Sequence, residues 1–261
     1  MNRLTRMNRL TRTAALSLSV LLAGLFSAQA RPLAGITQSG VLRLATSGDF
    51  APFNSNVGGR LSGFEVELGN LLATRMNLKA VWTVQPFDGI FGGLNSDQYD
   101  VVVASHAINS TRLKLVDFAR PHYCTGGVVL GHVGGPLDHR ALVGKSIGVQ
   151  EGSTYNAYVH KLPFKVYSQL FPGSDDALRA LAFGQIDAVV TDRFTALAAI
   201  KTYPKAPLFM GEQLWTEQIG MAVKKGNGSL QAALNVAMGT LLKNGEYAAL
   251  SKKYFGQDIR C

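Results

Sequence analysis

Beyond its first thirty residues this chain has no apolar run that approaches the ~20 residues a membrane-spanning helix needs. It has no long basic run interleaved with aromatics: its cations come in scattered pairs such as Lys224-Lys225 and Lys252-Lys253, which excludes a nucleic-acid groove and leaves an ordinary solvated surface. It has five histidines, His106, His122, His132, His139 and His160, and none stands at metal-ligand spacing from a second donor on one helix face. It has no G-x-S-x-G, no P-loop and no G-x-G-x-x-G behind a strand, so nothing points to hydrolysis, phosphoryl transfer or a nucleotide. Ser105 and His106 are adjacent, and on an extended segment their side chains diverge rather than pair as nucleophile and base. No cofactor and no metal are expected. The chain has two cysteines, Cys124 and Cys261.

What is present begins with a leader. Arg3, Arg6, Arg9 and Arg12 precede an apolar run from Ala14 to about Phe26, and Ala28-Gln29-Ala30 closes it. A basic start, a short apolar core and a small-x-small end make a secretory signal peptide over residues 1–30. MNRLTR occurs twice in succession, which reads as an ambiguous start with Met7 favoured. No Cys follows Leu22-Ala23-Gly24, so a lipid anchor is not expected, and the mature chain is placed in the periplasm or otherwise outside the cytoplasm. An oxidising compartment allows a Cys124–Cys261 bridge; two free thiols are the alternative.

A twelve-residue pattern then occurs twice. Leu94–Ser105 (LNSDQYDVVVAS) and Leu181–Asp192 (LAFGQIDAVVTD) share Leu94/Leu181, Gln98/Gln185, Asp100/Asp187, Val102/Val189 and Val103/Val190. Each holds a helix end, a polar turn, an Asp and a short apolar strand. Around these copies strand and helix signals alternate in two similar series, which argues for α/β layers. The spacing predicts strands at 41–46, 79–84, 100–104, 124–130, 146–149, 164–167, 187–190 and 219–223. It predicts helices at 64–75, 87–94, 110–115, 174–183, 192–201, 229–243 and 246–254, with Ser110 and Ser174 as caps. Extended crossings near 123–127 and 217–221 would join two lobes: 31–124 with 219–261, and 125–218. A ligand cleft is expected between them, at the carboxyl ends of the strands.

The first copy runs on to a cation, Arg112, whose planar fork suits a carboxylate; a surface ion pair is the alternative. The second ends on Asp192, which either takes an ammonium group or caps the next helix. Gly152-Ser153-Thr154 opens a helix behind a strand, where amides and a hydroxyl hold an anion or Ser153 merely caps. Phe50 and Phe87 either sandwich a ligand side chain or pack in the core.

At these residues the chain resembles the periplasmic solute-binding proteins of the polar amino-acid family, the receptor components of ABC importers. The stretches are VLRLATSGDFAPF (41–53), GFEVEL (63–68), PFDGI (86–90), 99–112, VDFARPHY (116–123), GKSIGVQEGSTY (144–155), 185–192 and GEYAALSKKYFG (245–256). The resemblance implies a hinged two-lobe periplasmic-binding-protein fold (type II) that works as a monomer, closes on a free amino acid and delivers it to ABC permease membrane subunits. It implies that Arg112, Ser105 and Thr154 grip the α-carboxylate and that Asp192 takes the α-ammonium. Phe50 and Phe87 would flank the side chain, with Ser47, Gln150 and Thr191 near its tip. Two positions depart from the family pattern. Ser47 stands where many relatives have Asp, which favours a neutral polar ligand over a cationic one, and Ala107 stands where a hydroxyl is usual, a loss of ~1–2 kcal/mol at the carboxylate site. The rival is a cyclohexadienyl dehydratase-like enzyme on the same fold. It would need an acid in the cleft, and Arg193-Phe194-Thr195 supplies none, leaving Glu151 as the one candidate nearby.

Overall fold

A computed structural model describes residues 30–261; the leader up to residue 29 lies outside the described residues. The chain opens with α1 (Leu33–Ser39), β1 (Val41–Thr46), a small antiparallel unit of β2 (Asp49–Phe50), β3 (Asn54–Val57) and β4 (Arg60–Ser62), then α2 (Phe64–Arg75), β5 (Lys79–Val84), α3 (Ile90–Asn95), β6 (Val101–Val102) and β7 (Val116–Phe118). It crosses by β8 (Tyr123–Thr125) into β9 (Gly127–His132), β10 (Ser146–Gln150), α4 (Thr154–Val159), β11 (Tyr167–Phe171), α5 (Ser174–Ala182), β12 (Ala188–Asp192), α6 (Arg193–Thr202) and β13 (Leu208–Gln213). It returns by β14 (Glu217–Ile219) to β15 (Ala222–Lys224), α7 (Gly228–Lys243) and α8 (Glu246–Phe255). Two five-stranded sheets result, ordered β5-β1-β6-β15-β7 and β11-β10-β12-β9-β13, and the antiparallel pair β8/β14 joins them. This is the expected two-lobe α/β architecture.

The repeated pattern is the same local device in both lobes. Asp97 and Gly184 occupy the same step of the repeat, both left-handed (φ 61° and 71°), where each ends its helix. The next amides, of Gln98 and Gln185, bond back to the Gly93 and Ala180 carbonyls. Asp100 then accepts the Arg43 amide of β1 at 2.9 Å, and Asp187 accepts the Ser146 amide of β10 at 2.8 Å. Each Asp locks its strand to the neighbouring parallel strand, β1 or β10. The valines behind them are buried in the sheet. The shared Asp is therefore a sheet-building residue.

Several boundaries differ from the sequence expectation. The run 124–130 is two strands, because the chain turns from the hinge into the second sheet at Gly126. A Cβ there would strike the Trp215 carbonyl, and one at Gly127 the Trp215 ring. The strand expected at 164–167 forms later, at Tyr167–Phe171, where the parallel register with β10 sets it. The helix expected from Ser110 is a single 3-10 turn, Arg112–Lys114, and Asn109 rather than Ser110 accepts the Arg112 amide. Ser174 is the first helical residue of α5 rather than its cap; Gly173 takes the cap position and has no side chain to offer.

Phe64, Leu68 and Leu72 of α2 share one face and pack with α7, α8 and β1 in a core that continues across the hinge. There Phe53 stacks on Tyr123 at 4.5 Å and meets Phe194 edge-on, while Phe194 and Phe255 lie 4.9 Å apart. Cys124 and Cys261 are bridged, and the Cys124 amide bonds to the Ile259 carbonyl, so the C-terminal tail is tied to β8. Among the described residues no helix is long and apolar enough to cross a membrane, and no group of three or more His, Cys, Asp or Glu is arranged to hold a metal ion.

Candidate functional site

Arg112 leaves its 3-10 turn pointing across the gap between the lobes. Its guanidinium donates to the Ala107 carbonyl of its own lobe at 3.0 Å and to the Gly152 carbonyl of the other at 3.2 Å. The lobes are therefore closed on each other. Arg112 is buried, which pulls its pKa down to about 10, against the opposing pull of Glu217 and Tyr155. A cavity of about 540 Å³ opens beside it, walled by Phe87, His106, Gly152, Ser153 and Thr154. Phe87 lies face to face on His106 at 4.2 Å, and the guanidinium stands 5.6 Å from the Phe87 ring centre. Burial, and then the nearby Arg112, hold His106 well below the ordinary histidine pKa, so it is a neutral wall. Ser153 caps α4 by accepting the Asn156 amide at 3.0 Å, which leaves Thr154 at the first turn facing the cavity.

Asp192, at the end of β12, is fully buried. One carboxylate oxygen caps α6, accepting the Phe194 amide at 2.7 Å and the Thr195 amide at 3.0 Å; the other accepts the Thr125 hydroxyl. Capping, the plainer of the two sequence readings, is thus real. A carboxylate oxygen has two lone pairs, so the second oxygen still has one for an ammonium group. Burial pushes Asp192 up to about 7, in spite of the Thr125, Thr195 and Phe194 hydrogen bonds, and Glu217 adds to the rise. Thr191 beside it is buried, its hydroxyl without a partner among the described residues.

The remaining expected residues divide. Phe50 is buried against Phe53, 5.8 Å away, as part of the core. Ser105 is not a donor toward the Arg112 carboxylate site. In a left-handed conformation (φ 55°) it spends both its amide and its hydroxyl on Glu65, each at 2.9 Å. Glu65, buried, also accepts Asn54 and His122 at 2.9 Å each, and so holds three segments of the first lobe together. Glu151 is exposed and is not among the residues that wall the cavity.

Two acidic groups escaped the sequence reading. Gln150 reaches back across the lobes to Asp49 at 3.2 Å, and Asp49 also takes the Ser174 amide at the uncapped start of α5. The Ser47 hydroxyl lies within reach of Asp49 and, at 3.0 Å, of Asn54. Glu217, the first residue of β14, sits opposite Thr125 in the hinge. Asp49 lay inside a turn signal and Glu217 inside a crossing, and neither carried a periodicity that would mark it.

Comparison with known proteins bears on this geometry. Residues 42–257 match the family model described as bacterial extracellular solute-binding proteins, family 3. The chain belongs to that family. It is 31% identical over 228 residues to the L-cystine-binding protein TcyJ of Escherichia coli K12, covering 86% of each. It is 32% identical over 269 residues to the L-arginine-binding protein of Pseudomonas aeruginosa, covering 97% of this chain and 98% of that one. A solved ancestral arginine-binding protein bound to arginine superposes with a TM-score of 0.80 at 34% identity, over 83% of this chain and 99% of that structure. The family members named here are amino-acid-binding proteins, and the fold is the type II periplasmic binding fold.

Proposed function

We propose that this chain is an extracytoplasmic receptor that binds a free amino acid between its lobes and hands it, as a monomer, to an ABC permease. The signal-peptide pattern supports periplasmic or secreted placement. The proposed lobe borders are 31–124 with 219–261, and 125–218. The observation that carries the reading is a buried Arg112 on one lobe and a buried Asp192 on the other, with a cavity beside Arg112 walled by both lobes. A zwitterion has matching charges at matching ends. Its carboxylate would take the place of the carbonyl groups now held by Arg112, assisted by Thr154, and its ammonium would complete the Asp192 coordination. In the open state both charges are hydrated; closure without a ligand buries them unpaired, which is costly, so the ligand selects the closed form. Phe87 would flank the side chain, with Gln150 and Thr191 toward its tip.

The neutral polar side chain expected from Ser47 rests on the missing carboxylate at that position. Asp49 at the contact between the lobes and Glu217 in the hinge add acidic groups, and they move the proposal toward a cationic side chain. A thermal-shift panel of the standard amino acids tests the receptor reading: a ligand at 100 times its Kd adds ~2.7 kcal/mol of stability. A panel without a single shift would sink it.

Glu217 also favours a second reading, since a cyclohexadienyl dehydratase-like enzyme needs an acid as proton donor and Glu217 is a buried hinge carboxyl group. Incubation with prephenate or arogenate separates the two. Formation of the decarboxylated, dehydrated product would replace the receptor by the enzyme.

A further inference from the structure

The acidic groups around the cleft differ in what answers them. Glu65 accepts from Asn54, Ser105 and His122. Asp49 is met by Gln150 and by the first amide of α5. Asp192 is met by two amides of α6 and the Thr125 hydroxyl. Glu217 is different. It is 8% exposed, and its Oε2 is buried with no hydrogen-bond partner among the described residues.

Its place in the fold is the hinge between the lobes. The β8/β14 register sets Glu217 opposite Thr125, and Thr125 donates to Asp192, so the two carboxylates flank one threonine. The field of Glu217 reaches Arg112, Asp192 and the Tyr155 hydroxyl, which stands on α4 one residue past Thr154. Those groups come from both lobes, and Arg112 among them lines the cavity.

The charges can then be counted on the reading, which this inference shares, that the ligand is an α-amino acid. Its carboxylate consumes Arg112. Its ammonium answers Asp192. Glu217 is left buried with its Oε2 lacking a donor, and a buried carboxyl group without a partner is strongly unfavourable. Only a ligand with a further positive group closes the account.

We propose that Glu217 is a specificity-determining residue that receives a second positive charge, so that the ligand is an amino acid with an ammonium or guanidinium side chain. The hinge position fits this role. A carboxylate on the crossing strand is carried by neither lobe's sheet, and it meets the ligand only when both lobes have swung onto it.

The test is isothermal titration of the full mature chain with the twenty standard amino acids, ornithine and citrulline, the last an uncharged isostere of arginine. A cationic amino acid is expected as the tightest ligand, with arginine bound roughly ten- to a hundredfold more tightly than citrulline, the worth of one charge-assisted hydrogen bond. Glu217→Gln, checked for folding by its melting curve, should weaken the cationic ligand by about tenfold or more and leave citrulline within about threefold. A neutral or acidic amino acid as the best ligand overturns the proposal while leaving the receptor intact. So does a Glu217→Gln variant that weakens charged and uncharged ligands equally. Binding of none of them would overturn the receptor reading itself.

Discussion

Replacing Asp192 by Asn and by Ala separates its two tasks. The helix cap needs an oxygen acceptor for the Phe194 and Thr195 amides, and Asn supplies one. Ala does not, and the loss of a cap of this kind costs about 1–2 kcal/mol. For a chain of this size that lowers Tm by roughly 2–8 °C. Asn keeps the cap and removes the charge. That charge is expensive in the closed, unliganded protein: burial raises the carboxyl from 3.8 to about 7, and three pKa units correspond to ~4 kcal/mol. A raised carboxyl means that the folded state holds its proton more tightly than the unfolded one. Its contribution is therefore fully present below about pH 4 and is lost as pH rises through 7. Chemical denaturation of wild type and Asp192→Asn across pH 4 to 8 should show wild type losing ground to the variant as pH rises, by up to ~4 kcal/mol if the unliganded protein stays closed and by less if it opens and hydrates the group. Calorimetric titration should show both variants losing most of their ligand affinity. An Asp192→Asn variant with wild-type affinity would refute the ammonium role and leave Asp192 as a cap alone.

Three further outcomes follow from other contacts. Asp49→Asn removes the charge that docks on the start of α5 from the other lobe, and should raise the ligand Kd several-fold by titration with little change in the melting temperature of the unliganded chain. Burial, then Asp49 and Asp176, push Asp175 up to about 6, and Asp49 is itself raised by burial, so these two take up protons on closure while Asp192 must stay ionised for the ammonium; ligand affinity should fall less steeply from pH 7 toward 5 in wild type than in Asp49→Asn. Replacing Cys124 and Cys261 together by Ser opens a loop of 137 residues and should cost ~5 kcal/mol or less in denaturant unfolding, on the loop-entropy view.

The two-lobe plan was legible in the sequence because it is written in local patterns. The twelve-residue repeat marks a helix end, a left-handed step at Asp97 and Gly184, and an Asp that bonds the neighbouring strand, and each part acts within a few residues or one strand away. Arg112, Asp192 and the Gly152–Thr154 turn could be named for the same reason, as polar residues at strand or helix ends. The misreadings arose where long-range packing decides. Ser105 reads as an exposed strand-end hydroxyl, yet its proton goes to Glu65, forty residues earlier in the chain. Glu65 stands three and seven residues before the buried Leu68 and Leu72, so the helix turns it inward, and the approach of Asn54, Ser105 and His122 makes its burial tolerable. Gln150, expected near the tip of the ligand side chain, also meets Asp49 of the other lobe, a contact the sequence did not show because it exists only once the lobes meet. Glu217 lies on a crossing strand, where neither period marks an inward face.

The clamp between the lobes is tested most directly by titrating Arg112→Ala and wild type with the best amino acid of the panel, and wild type with that ligand's methyl ester and its N-acetyl derivative. The account predicts that removing the guanidinium, the carboxylate charge or the ammonium charge each weakens binding by about a hundredfold or more, because each strands a buried charge. Near wild-type affinity for Arg112→Ala, or for either blocked ligand, would contradict it.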